Sequence, residues 1–322
     1  MKKYITLYLL FLVFAIFVVP VCLAVFTAPE KTASDLNSDT SSISSAPLKK
    51  SDDVFLLKTE QGIESVKRLE YTVRSVGSEI SPDYPSEAIK ANAVAVYTFA
   101  LFRANENKKE KYDITDSPDT DQACKSLTEV KNIWKDNYST LYTAVKSVFG
   151  QYLVDENSAP ALSLYHAVSP GRTDSAKDIF GSDYSYLQTV DCSFDILSPD
   201  YLTVKEYTLS QFKALFKGKT KFSDEPKRWF SEYDVTESGA IKTVKIGSKT
   251  FTGGEVREIL SLESYAFDAV ITDKSVTVRV KGQGHGVGMS QYGSYALANQ
   301  GEDYKSILGY FYYGCKLRTP QK

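Results

Sequence analysis

Glu87 is the carboxylate whose setting most invites chemistry. It lies in SPDYPSEAIKANAVAVYTFALFR, Ser81–Arg103, where Pro82 and Pro85 forbid helix before Ser86 and Ser86 is suited to cap the helix after it. A carboxyl group in a first helical turn, at the edge of a core, can face a cleft and pass a proton there. The same position also suits an acid that merely complements the helix dipole. A second set of polar side chains comes late, in GQGHGVGMSQYG, Gly282–Gly293, which carries His285, Ser290, Gln291 and Tyr292. Five glycines in twelve residues let backbone pass close to a ligand or to another backbone. Two readings therefore stand for this loop: a wall of donors facing a cleft, or a tight structural turn. His166, with Ser169 in the polar turn Ser169–Asp174 behind it, completes the candidates. A histidine at a strand end is commonly a hydrogen-bonded structural residue.

Other chemistries find little support. Gly284, Gly286 and Gly288 match a dinucleotide fingerprint only loosely, and no βαβ unit comes after them. His285 and Ser290 suggest a hydrolase triad, yet the nucleophile-elbow pattern GxSxG is absent. Beyond the N-terminal apolar run stand Cys124, Cys192 and Cys315, with no CxxC pair, and His166 and His285 are the only histidines. Nothing has ligand spacing, so no metal and no cofactor are expected. Three cysteines allow one bridge at most. A net charge of −2 advertises no nucleic-acid partner. The 22 tyrosines and 17 phenylalanines mostly supply core, and tyrosine-lined grooves also suit sugar polymers, which offer apolar ring faces and hydroxyls together.

The elements that must position these residues are set by periodicity. Residues from Ala88 to Arg103 are apolar on nearly every side, which predicts a buried central helix too short and alanine-rich to span a bilayer. Before it, Val54–Lys58 reads as a strand and Ile63–Val76, with apolar residues three or four apart, as an amphipathic helix. That helix leads to Glu79 and Asp83, the acids nearest Glu87 in sequence. Asn105–Lys135 reads as a polar surface excursion and Thr140–Gln151 as a second amphipathic helix. Tyr152–Asp155 and Ala161–Val168 are expected to form a hairpin that places His166 at its end. Further on come a helix over Leu209–Phe216, short strands over Asp234–Gly247, a helix over Glu255–Leu262 and a hairpin of Ala266–Thr272 with Ser275–Lys281. Ser290 caps a helix reaching Ala298, Asp303–Tyr312 forms the last helix, and Cys315–Leu317 closes as a strand.

Tyr4–Ala28 contains no charged residue and exceeds the roughly 20 residues needed to cross hydrocarbon. Lys2 and Lys3 precede it, favouring a cytoplasmic N-terminus and an external body. The expected organisation is an anchor over 1–28, a Ser/Thr-rich disordered stalk over 29–53 and a catalytic domain over 54–318. The fold class is mixed α/β (α+β): a buried central helix with short strands and hairpins around a substrate cleft, behind a single-pass membrane helix.

Three blocks carry a family resemblance. SEAIKANAVAVYTFA is similar to EALKAQAVAARTYA, YHAVSPGRTDSAKDIFGSDYSYLQTVD to FHSTSGGKTENSEDVWG with PYLxSV, and GHGVGMSQYGSYALANQGEDYKSILGYFYYGCKL to a C-terminal block opening GHGVGMSQYGA. They come in the order found in the stage II sporulation protein D family, which includes amidase enhancers, and cover about Val54 to Leu317. The resemblance implies a membrane-anchored lytic transglycosylase that cuts peptidoglycan glycan strands stripped of stem peptides, in engulfment during sporulation, together with a partner amidase and other membrane engulfment proteins. It places the catalytic acid on Glu87 and makes His166, Ser169, His285, Ser290, Gln291 and Tyr292 candidate substrate contacts. In such a mechanism one carboxyl group protonates the glycosidic oxygen, then takes the proton of the muramic C6 hydroxyl as that oxygen closes a 1,6-anhydro ring. The acid step asks for desolvation by neighbours such as Ile89 or Tyr84. Departures are Tyr97 for the family's Arg, Asn92 for its Gln and Pro170-Gly171 for its Gly-Gly. Where some members hold zinc with a His/Cys cluster, this chain reads TDQACKS, with Cys124 and no histidine. The alternative functions are a non-catalytic wall-binding amidase enhancer, and a hydrolytic muramidase using Asp83 or Glu79 as a second acid.

Overall fold

The central helix, Ser86–Glu106, is buried all round: Ala88, Ile89 and every residue from Ala91 to Ala100 lie inside. Their small side chains let four other helices pack on it, namely Arg68–Glu79, Tyr138–Val148, Gln291–Asn299 and Tyr304–Phe311. Its two polar interior residues are both hydrogen-bonded. Asn92 donates to the Ala88 carbonyl at 2.9 Å and to Ser294 Oγ at 3.0 Å, and Thr98 donates to the Val94 carbonyl at 2.6 Å. Pro85, not Ser86, occupies the cap position, and no side chain caps this helix. These relations come from a computed structural model that describes residues 53–118 and 120–319. The expected anchor and nearly all of the expected stalk lie outside those residues. Among the described residues no helix is long and apolar enough to cross a membrane.

The fold is mixed α/β, as the periodicities require, with several small sheets in place of one large one. Val54–Thr59 pairs antiparallel with Gly62–Lys67 across a two-residue turn. The helix expected over Ile63–Val76 therefore begins only at Arg68. Ile63 and Val66, three apart, fit either element, and pairing with the first strand decides for the hairpin. The stretch expected to be a surface excursion also contributes to the core. Ile114–Thr115 adds a parallel strand to the hairpin, and helix Leu127–Trp134 starts from a capping box of Ser126 and Glu129. Trp134 Nε1 then donates to the Gly77 carbonyl at 2.9 Å, and a Cβ at Gly77 would lie 2.4 Å from Val130. The close approach fixes the C-terminal end of helix Arg68–Glu79.

The hairpin expected between 152–155 and 161–168 forms only at its turn, where Val154 bridges Pro160 and Ala161 N donates to the Leu153 carbonyl at 3.0 Å, and longer-range pairing takes both arms beyond it. Tyr152–Val154 pairs antiparallel with Lys316–Arg318, and Tyr165–His166 pairs in parallel with Met289–Ser290. A second apolar cluster gathers residues 207–280 around Phe212, Phe216, Trp229 and Phe251. Its hairpin of Ala266–Ile271 with Ser275–Lys281 and its helices Leu209–Leu215 and Gly253–Leu260 agree closely with the sequence pattern, while Leu202–Thr208 adds a third strand that the pattern does not announce.

Candidate active-site cleft

The parallel pairing of Tyr165–His166 with Met289–Ser290 zips the glycine-rich loop onto the segment 164–174. Met289 N donates to the Leu164 carbonyl at 3.0 Å, Tyr292 N to Ala167 at 3.0 Å, Gln283 N to Val168 at 2.7 Å and Asp174 N to Gly286 at 2.7 Å. A Cβ at Gly288 would come 2.0 Å from the Leu164 carbonyl oxygen, and one at Gly284 would come 2.8 Å from His166 Cβ. The glycines therefore serve backbone lying on backbone. Of the two readings of this loop, residues 284–290 fit the structural one, while Gln283, Gln291 and Tyr292 line a cleft.

Four of the expected substrate contacts, His166, Ser169, His285 and Ser290, lie within this seam. His166 is buried and its Nδ1 donates to the Val287 carbonyl at 3.2 Å, leaving Nε2 without a partner. Burial, and then the neighbouring His285, push its pKa down to about 3. His285 accepts at Nδ1 from Val287 N at 3.1 Å and meets His166 edge-on, with centroids 5.8 Å apart. Burial first, and the Arg257 charge second, lower it to about 4. Both rings are neutral parts of the seam. Ser169 and Ser290 are fully buried and share a partner: Ser169 N at 2.6 Å and Ser290 Oγ at 2.7 Å both donate to Asp195 Oδ2. Ser290 Oγ also accepts from Gly293 N at 3.0 Å, capping helix Gln291–Asn299 as its spacing predicts.

Gln291 and Tyr292 emerge from the end of the seam into a cleft of about 440 Å³. Tyr84, Tyr292 and Tyr295 form an aromatic wall, with Tyr295 centred 5.3 Å from Tyr84 and 5.4 Å from Tyr292. Gln291 is 3 % exposed, and its amide nitrogen has no hydrogen-bond partner. A buried donor left unpaired is costly unless a ligand or water meets it. The acid of this cleft is Glu79, the last residue of helix Arg68–Glu79. Its Oε1 accepts from Ala123 N at 2.8 Å. Burial pushes the carboxyl above the ordinary glutamate value, opposed by the Ala123 amide, the Lys125 charge and the nearby Gln291 and Tyr165 side chains. The Gln291 amide faces Glu79 without closing a hydrogen bond. Lys125 N donates to Ser78 Oγ at 2.9 Å, and Tyr165 OH donates to Gln122 at 2.6 Å. These bonds dock the 122–125 segment against the end of the helix and hold Glu79 in place.

Glu87 sits elsewhere. Its Oε1 accepts from Lys90 Nζ at 2.5 Å and its Oε2 from Tyr304 N at 3.0 Å. It ties the start of the central helix to the start of helix Tyr304–Phe311 and is not among the residues lining the cleft. Asp83 and Asp200 do line it, both exposed. Three larger hollows, of about 590 Å³ beside Arg74 and Cys124, about 660 Å³ beside Lys221 and Lys245 and about 710 Å³ beside Arg68 and Tyr97, contain no unpaired buried polar atom among the described residues. Among the described residues no three His, Cys, Asp or Glu side chains gather as a metal set, and Cys124, Cys192 and Cys315 are unbridged. Burial raises the Cys124 thiol to about 11.

Sequence patterns carry one signal for Glu79 that spacing alone passes over. A carboxylate at a helix C-terminus meets the negative end of the dipole, which disfavours its charged form. Asp195 offers no signal, because it lies on a short 3-10 turn, Ser193–Leu197, in irregular chain.

A family model described as Stage II sporulation protein matches residues 58–154, the stretch that holds both Glu79 and Glu87. Stage II sporulation protein D of Bacillus subtilis (strain 168) is 31% identical over 264 residues, covering 80% of this chain and 76% of that protein. The protein of the same name from Bacillus amyloliquefaciens is 29% identical over 263 residues, covering 80% and 75%. An amidase enhancer of Bacillus subtilis (strain 168) is more distant, 22% identical over 295 residues, covering 76% of this chain and 40% of its own length. With its core organised round the matched segment, this chain belongs to the stage II sporulation protein D family.

Proposed function

We propose that this chain is a membrane-anchored lytic transglycosylase of peptidoglycan, cutting strands that a partner amidase has stripped of stem peptides. The observation that carries this reading is one cleft holding a half-buried glutamic acid, Glu79, beside an unpaired buried amide, Gln291, and a wall of three tyrosines. Tyrosine faces suit sugar rings. The free N–H of Gln291 suits a sugar's hydroxyl or acetamido oxygen.

Glu79 replaces Glu87 as the proposed acid. Its carboxyl, pushed upward by burial, is suited to hold a proton and give it to the glycosidic oxygen as C1 gains oxocarbenium character. The C1–O bond breaks and the leaving sugar departs as an alcohol. The Glu79 carboxylate then takes the proton of the muramic C6 hydroxyl, whose oxygen closes on C1 as a 1,6-anhydro ring. Glu79 regains its proton and no water is consumed. Glu87, held by Lys90 and the Tyr304 amide, joins the starts of helices Ser86–Glu106 and Tyr304–Phe311. Digestion of stripped glycan strands by residues 54–318, with mass analysis of the products, tests this. Anhydro ends that require Glu79 support it; products 18 mass units heavier would indicate hydrolysis, with Asp83 or Asp200 activating water. Binding without cleavage would favour an amidase-enhancer role.

A further inference from the structure

Asp195 has its side chain wholly inside the protein, yet it makes no ion pair and leaves Oδ1 without any partner. A carboxylate buried in this way does not serve stability, since burial of an incompletely paired charge is unfavourable. Its other oxygen does two tasks at once. Oδ2 receives Ser169 N and Ser290 Oγ at 2.6 and 2.7 Å, joining segments far apart in sequence. Ser169 comes directly after Ala167 and Val168, which line the cleft, and Ser290 precedes Gln291 and Tyr292, which line it beside them. Tyr292 N closes the junction on the Ala167 carbonyl at 3.0 Å.

We infer that Asp195 is a positioning residue for the proposed cleft: by holding Ser169 and Ser290 on one oxygen it sets where Gln291 and Tyr292 stand against Glu79. The inference rests on the transglycosylase reading only for its kinetic consequences. The hold is strongest when Asp195 is ionised, because a charged acceptor makes the stronger hydrogen bonds. Burial raises its pKa to about 6, and the bonds from Ser290 and Ser169 oppose that rise. The titratable groups facing it are Tyr84 from the turn before the central helix, Cys192 of its own loop, Tyr201 beyond it and Tyr292 of the helix after the seam. None of these is a cation, so the two serines are the groups that answer its charge.

The test compares wild type, Asp195→Asn and Ser290→Ala by amide hydrogen exchange and by kcat/KM on stripped glycan strands across pH. Asparagine keeps the shape and one acceptor but loses the charge. We expect Asp195→Asn to fold with an undiminished melting temperature and to exchange faster at the Ser169 and Gly293 amides. Its kcat/KM should fall about ten- to a hundredfold, as for a small misplacement of a binding wall. The decline of wild-type kcat/KM on the acid side of about pH 6 should be absent from the variant. Ser290→Ala should show the same losses, and the double variant no greater loss than either single one. Wild-type exchange at both amides together with an intact acid limb in Asp195→Asn would overturn the inference, as would additive losses in the double variant. Should Asp195→Asn fail to fold, Ser290→Ala alone decides by its exchange and pH profile. Faster exchange in variants of a protein that never cleaves glycan would leave the positioning role standing and remove the transglycosylase reading.

Discussion

Gly288 and Leu164 touch backbone to backbone: a Cβ on Gly288 would stand 2.0 Å from the Leu164 carbonyl oxygen, and Gly288 holds φ +75°. No side chain fits there without parting the seam that carries Gln291 to the cleft. Gly288→Ala should therefore destabilise by about 3 kcal/mol or more, combining overpacking with a left-handed backbone penalty. Gly301, at φ +97° with nothing within 4 Å, supplies the control. Gly301→Ala should cost only the backbone part, about 1 kcal/mol. Denaturant midpoints of the two variants measure the difference, and equal losses would mean the seam yields.

Glu79→Gln should lower turnover on glycan strands by about a hundredfold or more, the ordinary weight of a general acid–base group. Its melting temperature should hold or rise, because burial already disfavours the charge. Glu87→Gln should keep most of its turnover. The Glu87–Lys90 pair is partly exposed, with side chains 32% and 23% accessible, so its loss should cost no more than about 1 kcal/mol. The reverse ranking of the two variants would return the acid to Glu87.

Gln291→Ala removes an amide that has no partner in the free protein. Stability should change little, since no hydrogen bond is broken. Turnover or glycan affinity should fall about tenfold, equivalent to about 1.4 kcal/mol. Calorimetric binding of chitooligosaccharides by the wild type and the variant separates affinity from chemistry. An unchanged affinity with unchanged turnover would place the sugar elsewhere.

Stability should decline as pH falls from about 6.5 towards about 3 through His166. In the folded state burial holds its pKa at about 3, while the unfolded chain takes up a proton near 6.5. The unfolded state thus binds more protons throughout that window, and each step down in pH favours it. Above 6.5 both states are neutral and the effect vanishes. Asp195 acts in the opposite sense, its raised pKa disfavouring the fold as pH rises from about 4 to about 6. His166→Asn should flatten the acid-side loss relative to wild type in unfolding curves at several pH values. A parallel loss in both proteins would show that His166 protonates freely in the folded state.

Much of the scaffold is legible in the sequence because it rests on local patterns. The all-round apolar run after Ser86, the alternation of Val276, Val278 and Val280, and the caps at Thr208, Thr252 and Ser290 each demand one structure. The 62–67 strand reads wrongly as helix because Ile63 and Val66 fit a helical period and only pairing with Val54–Thr59 decides. The site is legible as a neighbourhood, since Gln291 and Tyr292 reach the cleft, but not residue by residue. Whether His285, Ser290 or Glu87 points outward depends on contacts with chain a hundred or more positions away, and sequence spacing carries no record of those. Asp195 is the clearest case: its role exists only because two remote serines converge on one oxygen.

The pairing of Tyr165–His166 with Met289–Ser290 also has a temporal meaning. A chain emerging from its N-terminus carries Glu79 long before the strand that completes the opposite wall has been made. Until Met289 docks beside Tyr165, the tyrosine wall lacks Tyr292 and Tyr295, and the cleft beside Glu79 is incomplete. Contacts of such long sequence separation form late and slowly. The proposed activity, if built this way, requires the C-terminal strand to be in place before the cleft is complete.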